Sequence, residues 1–129
     1  MERVIYLDHA STTPTDPDVV EAMRPWLGEQ FGNPSTVYSL GLTAAHAVQE
    51  ARESLAATIG AEADEIYFTS GGTESDNWAI LGTADAQSKK GRHLVTSTIE
   101  HHAVLETMEY LEKRGYEVTR VPVDSGGLV

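Results

Sequence analysis

Cysteine is absent from all 129 residues, which excludes disulfides, a thiolate metal site and a thiol nucleophile within the chain. Basic residues are scarce as well: 9 Lys and Arg stand against 20 Asp and Glu, for a net charge of −11. Nucleic-acid binding through a basic face is therefore not expected. The acidity reads as a well-solvated surface, or less simply as adaptation to salt. No window approaches the ~20 apolar residues of a membrane span, and there is no repeat, low-complexity tract or linker. Met1-Glu2-Arg3-Val4 leads straight into strand-forming sequence with no signal-peptide pattern, so a cytoplasmic location is expected. What is present is ordinary for a globular chain, 40% hydrophobic and 22% charged residues, at a length that can bury a core.

Val4–Leu7 reads as a short strand before a polar turn, Asp8 to Thr15. Asp16-Pro17 is a helix start, with Asp as cap and Pro at the first helical position. Val19, Val20, Met23 and Leu27 continue it at helical spacing until Gly28. Phe31 to Ser39 is a loop marked by Gly32 and Asn33-Pro34. A longer helix from about Leu40 to Ile59 sets Ala44, Val48, Ala51, Leu55 and Ile59 on one face, and Gly60 ends it. Beyond Ala63 strands and helices alternate: strand Glu65–Thr69, helix Thr73–Ser88, strand His93–Ser97, helix His101–Arg114 closed by Gly115, and strand Glu117–Val123 before a turn at 124–127. Such alternation predicts an α/β architecture with a parallel sheet.

The segment Phe68-Thr69-Ser70-Gly71-Gly72-Thr73-Glu74-Ser75-Asp76 carries the most information. A strand, a glycine turn and a helix in that order present free backbone N–H groups to a phosphate. Gly71 and Gly72 permit close approach of a ligand to the backbone, and Thr73 adds a hydroxyl where the helix dipole favours an anion. No Gly-Lys-Ser/Thr follows, so this is not a Walker loop, nor is it the GxGxxG dinucleotide fingerprint. On these residues alone an ordinary glycine-rich turn with Thr73 as a cap is an equal alternative. His101 and His102, taken alone, read as solvent-facing residues of a first helical turn. Adjacent helical residues point about 100° apart, and with no cysteine nearby a zinc site is not expected. His46 and His93 likewise read as structural or surface residues.

Four segments in order change this weighting: Tyr6-Leu7-Asp8-His9-Ala10-Ser11-Thr12-Thr13-Pro14, Phe31-Gly32-Asn33-Pro34-Ser35-Thr36, Phe68 to Asn77, and Glu100-His101-His102-Ala103-Val104. Together they resemble the first part of the cysteine desulfurases, pyridoxal phosphate enzymes that supply sulfur for iron–sulfur clusters. The resemblance runs over essentially the whole chain and covers about the first third of such an enzyme. It implies the start of the pyridoxal-phosphate-dependent transferase fold. Residues 1–63 would carry small-domain and active-site turn elements, and 64–129 the beginning of the large cofactor-binding domain, incomplete. In that fold later strands lie between the first strand and the next two, so Glu65–Thr69 would lack its neighbour and leave open edges. The chain is accordingly expected to be part of a longer chain, or one half of a split enzyme.

The resemblance also implies site roles. The cofactor phosphate would be held by Gly72 through its N–H and by Thr73 through N–H and hydroxyl. Gly72 stands where alanine is common in the family. The ring of His101 would stack on the pyridine and shuttle protons, tasks that suit a flat group titrating near neutral pH, whereas His102 falls at a variable position. His9 replaces an asparagine and Ser11 an alanine, and Tyr38 stands where many relatives have histidine, so no role is carried to it. The lysine that binds the cofactor is not expected here: Lys89, Lys90 and Lys113 lie in a polar turn and at a helix end, where a lysine stays solvated. In the complete enzyme the implied substrate is L-cysteine, the products alanine and an enzyme persulfide, the state a homodimer, and the partner an iron–sulfur scaffold or other sulfur acceptor. Three alternatives accompany this reading: a selenocysteine lyase or other class V enzyme, a non-catalytic or split-enzyme subunit, and a nucleotide-binding α/β module.

Overall fold

The computed structural model of the chain describes residues 5–129. They fall into two compact units, one ending at Tyr67 and the other running Phe68–Val129. Among them no helix is long and apolar enough to cross a membrane.

In the first unit, the expected strand Val4–Leu7 falls partly on Val4, outside the described residues, and residues 5–7 take no regular structure. Helix α1, Pro17–Met23, opens as its sequence requires: Asp16 Oδ1 accepts from the Asp18 N–H at 2.9 Å, and Pro17 needs no N–H at the first position. It does not run on to Leu27 as an α-helix. Residues Arg24–Leu27 form a 3-10 turn, because Pro25 has no N–H and its ring would press on the carbonyl of Glu21. Gly28 then ends the run.

Helix α2, Ser39–Ile59, ends on Gly60, whose left-handed conformation (φ 70°, ψ 30°) directs its N–H to the Ala56 carbonyl. The loop before it is folded onto its first turn. Asn33 Oδ1 accepts from the Ser35 N–H at 2.9 Å, and the Asn33 carbonyl accepts from the Thr36 N–H and hydroxyl at 3.0 and 2.8 Å. That turn lies so close to α2 that a Cβ on buried Gly41 would stand 2.7 Å from the Asn33 carbonyl and closer still to Thr36. Gly41→Ala is therefore expected to destabilise the chain by about 1–3 kcal/mol through overpacking, read as a lower midpoint in thermal or urea unfolding. An equivalent change at Gly60 meets no atom, and its cost would come from the backbone conformation alone.

Of the α2 stripe expected to be inward, only Ala44 is buried. Val48, Ala51, Leu55 and Ile59 are exposed. The buried positions are Gly41, Ala44 and Ala56, and Arg52 donates from Nη1 to the Ile66 carbonyl. Periodicity identifies an apolar stripe, but the covered face is the one toward which the flanking loops fold.

The second unit holds the parallel sheet: β1, His93–Ser97, pairs with β2, Glu117–Val121, in the register Leu94↔Val118 and Thr96↔Arg120. Helix α3, Gly72–Gln87, precedes β1, and α4, His102–Lys113, is the crossover between the strands. β2 stops at Val121 rather than Val123, since Pro122 cannot donate to a ladder. α4 buries Ala103, Thr107, Met108 and Leu111, a spacing that lines one side of a helix. The core is Ala84, Leu111 and Tyr116, with Ile80, Leu81 and Leu94 against it. The buried Tyr116 hydroxyl donates to the Ala84 carbonyl at 2.8 Å, as a buried phenol must find a partner. Gly115, at φ 82°, turns the chain from α4 into β2.

The strand expected at Glu65–Thr69 does not form. Ala63–Glu65 is a 3-10 turn. Ile66 continues in extended conformation (φ −96°, ψ 125°), and the sheet of the described residues contains β1 and β2 only. An extended segment becomes a strand only by pairing.

Candidate active site

Gly71 caps α3 in extended conformation without a side chain of its own, and Gly72, Thr73 and Glu74 form the first turn. The first intrahelical bond runs from the Ser75 N–H to the Gly71 carbonyl at 3.1 Å. The N–H groups of Gly72, Thr73 and Glu74 thus have no partner within the helix. Beside Gly71 and Gly72 the space is open: a Cβ on either would meet nothing within 4 Å. Three aligned donors, a threonine hydroxyl and the positive end of a helix dipole are the donor set a phosphate needs.

The turn is tied down by its own side chains. Glu74 Oε2 accepts from the Ser70 N–H at 2.6 Å and from the Ser70 hydroxyl at 2.7 Å. These bonds, the backbone one first, hold the Glu74 carboxyl below its ordinary range. Thr69 Oγ1 and Ser75 Oγ stand 2.6 Å apart. Sequence reasoning passed over Glu74. The signal was available: an acid at the third helical position reaches back toward the cap, here one residue beyond the usual capping box.

His101 lies four residues past the end of β1, in a loop where the Ser97 hydroxyl donates to Glu100 Oε1 at 2.9 Å. It is the N-cap of α4 rather than a residue of its first turn, and its Nδ1 accepts from the Ala103 N–H at 3.1 Å. An accepting Nδ1 puts the proton of the neutral ring on Nε2. Nε2 is then the nitrogen left for other chemistry. His102 is exposed, with its ring edge-on to His101 at 6.2 Å.

One hydrogen-bonded chain joins the two helix starts. Asn77 Nδ2 donates to the Thr73 carbonyl at 2.8 Å, and Thr107 Oγ1 donates to Asn77 Oδ1 at 2.7 Å. The same Thr107 hydroxyl lies 2.7 Å from the Ala103 carbonyl, which Asn77 Nδ2 also approaches at 3.5 Å. Ala103, through its N–H, ends the chain at His101. A groove of about 310 Å³ runs between α3 and α4, with Thr73, Asn77, Ala103 and Thr107 in its wall. The structure thus brings Thr73 and the start of α4 together. Asn77 and Thr107 escaped sequence reasoning because their pairing spans 30 residues.

The other positions singled out in the sequence have surroundings of their own. His9 sits edge-on to the Tyr6 ring at 5.2 Å, and exposed Tyr38 is the N-cap of α2. Both belong to the first unit. His93 Nε2 is bonded across the sheet to Thr119 Oγ1 at 2.8 Å, and His46 is exposed. No group of three metal-ligating side chains occurs among the described residues.

A parallel βαβ unit with a glycine-opened helix beside it is an arrangement found in α/β folds, in which phosphate groups are commonly met at helix starts. Residues 5–129 match the aminotransferase class-V family model, and the chain belongs to that family. Its relatives within the family include cysteine desulfurases. Cysteine desulfurase IscS of Methanosarcina thermophila is 56% identical over 127 residues, covering 98% of this chain and 31% of the relative. A NifS-like protein of solved structure matches with a TM-score of 0.89 at 42% identity, over 94% of this chain and 33% of that one. SspA, solved in complex with cysteine, matches at 0.83 and 43% identity, over 90% and 33%. The chain therefore spans about a third of the length of these relatives.

Proposed function

We propose that the chain provides the phosphate-binding turn and the ring-facing histidine of a pyridoxal-phosphate-dependent cysteine desulfurase. The observation that carries the reading is the bonded chain from Thr73 through Asn77 and Thr107 to the cap of α4. It ties an anion-ready helix start to a histidine whose Nε2 is free. Desulfurase relatives at 56% identity, and a structural neighbour solved with cysteine, favour L-cysteine as substrate.

Bound pyridoxal phosphate would supply the electron sink that makes cleavage of the substrate's carbon–sulfur bond feasible. The N–H groups of Gly72 and Thr73 and the Thr73 hydroxyl bind its phosphate. The open space at Gly71 and Gly72 lets that anion reach the backbone. His101 lays its ring against the pyridine and moves a proton at Nε2, because Nδ1 is engaged by the Ala103 N–H. The thiolate that accepts sulfur is contributed by residues other than these 129, which contain no cysteine. Alanine is the second product, and the sulfur passes to an iron–sulfur scaffold or another acceptor. The working form is a cytoplasmic homodimer.

No lysine of this chain suits covalent attachment of the cofactor. Lys89 and Lys90 follow α3 at its C-terminal end, about 24 Å from Gly72 at 1.5 Å per residue over 16 residues. Lys113 closes α4 at the end away from His101. The 129-residue chain mixed with pyridoxal phosphate and reduced with borohydride is expected to show no adduct at a single lysine. An enzyme carrying these residues at its N-terminus is expected to show one, outside them, and to release alanine from L-cysteine. One lysine of the 129 labelled stoichiometrically, or an enzyme that releases no alanine, would overturn the reading.

A further inference from the structure

We propose that Asn77 and Thr107 are positioning residues that set the separation and angle between the Gly72–Thr73 turn and His101; the inference rests on the reading of that site given above. Each end of the site is a helix start held by its own loop. The loops differ in kind: one is a glycine turn held by Ser70 and Glu74, the other a β1–α4 link held by Ser97 and Glu100. Asn77 bonds to both Thr107 and Ala103 and so joins α3 to α4.

The geometry suits a spacer. Asn77 lies one helical turn below Thr73 and takes its carbonyl at 2.8 Å, while Thr107 lies one turn below Ala103 and touches its carbonyl at 2.7 Å. Asn77 therefore grips the first turn of its own helix, and Thr107 shares its one hydroxyl proton between the Ala103 carbonyl and Asn77 Oδ1, which holds one turn against the other. Thr107 is buried to 4% exposure and Ala103 to 6%, so a group left unpaired there keeps its desolvation cost. A carboxamide suits this: it donates through Nδ2 and accepts through Oδ1, whereas a carboxylate only accepts. A rigid spacing matters because a ring stack and a phosphate clamp acting on one ligand must be met together.

The test uses the enzyme that carries these residues, with cofactor. Asn77→Ala is the first variant, since alanine favours the helix and Thr107 still has the Ala103 carbonyl. The expected result is a fall in kcat of about tenfold, with KM for L-cysteine within about twofold, from loss of a bond to a buried group. The visible circular dichroism of the bound cofactor, which reports how asymmetrically the ring is seated, is expected to shrink in parallel at saturating cofactor. Thr107→Val should reproduce both effects, the double variant should be no worse than the stronger single, and Thr107→Ser should restore both because it keeps the hydroxyl. A merely structural role would lower the melting temperature additively and leave the dichroism at saturating cofactor unchanged; that pattern would overturn the proposal. So would a Thr107→Ser variant as impaired as the valine one. His101→Ala and Thr73→Ala run beside them. If those two damage the enzyme while Asn77→Ala is silent in kcat and dichroism, the positioning role alone fails. If those two are silent as well, the reading of the site fails with it.

Discussion

Replacing His101 by alanine in the cofactor-loaded enzyme is expected to lower turnover of L-cysteine by ~10²–10⁴-fold, the usual contribution of a positioned acid–base group. The ring would lose both its stacking face and the proton-carrying Nε2. The same substitution also removes the acceptor of the Ala103 N–H at the cap of α4, which costs about 1 kcal/mol of stability. The two losses are separable. His101→Asn keeps a capping oxygen and has no imidazole, so it should melt near the parent and turn over no better than alanine. His102→Ala is the control and should be near neutral, since that side chain is exposed. Alanine and sulfide release, measured beside a melting curve for all three, decides the assignment. A silent His101→Ala with a damaging His102→Ala would show that the motif is read one residue out of register. Equal melting and equal loss for both would make the pair structural.

Thr73→Ala is expected to weaken cofactor retention by about tenfold to a hundredfold, the worth of one hydrogen bond to a charged group at ~1.5–3 kcal/mol. Fold damage should be small. Thr73 occupies the second helical position, and the cap is Gly71, which has no capping side chain to lose. The backbone donors of Gly72 and Thr73 survive the substitution, so binding is weakened rather than abolished. Thr73→Ser keeps the hydroxyl and should stay within a few-fold of the parent, about threefold on the same scale. Equilibrium dialysis of the cofactor against each variant measures the effect. Unchanged affinity in the alanine variant would leave Thr73 as no more than part of the groove wall.

Local chemistry made much of the fold legible. Asp16-Pro17 starts α1 through its own cap and fixed φ, and Gly60 and Gly115 end theirs because left-handed turns favour glycine. β1 was readable to the residue, since its alternating, β-branched run meets a partner supplied by the same short unit. Pro25 and Pro122 shortened α1 and β2 for reasons also written in the sequence, though the apolar pattern around each ran on past it. The candidate site was legible only in part. Gly72, Thr73 and His101 stood out because motif order resembled a family. The cap role of His101, and its use of Nδ1 rather than Nε2, needed the backbone around Ala103.

Three features were decided by tertiary structure alone, each because it depends on what lies nearby in space rather than in sequence. The run Glu65–Thr69 has strand-forming residues but enters no sheet among the described residues, since a ladder needs a second chain segment. The apolar stripe of α2 is real as a pattern, yet the loop 33–36 folds onto Gly41 and leaves Val48 and Leu55 uncovered. Asn77 and Thr107 carry no signal as single residues, and they join two helix starts only when α3 and α4 are packed together. Caps and spacing thus determined the α/β class, and the order of motifs the resemblance to a family. Packing decided which face of each helix is covered and how the Gly72–Thr73 turn is tied to the start of α4, because a hydrogen bond across 30 residues exists only in the folded chain.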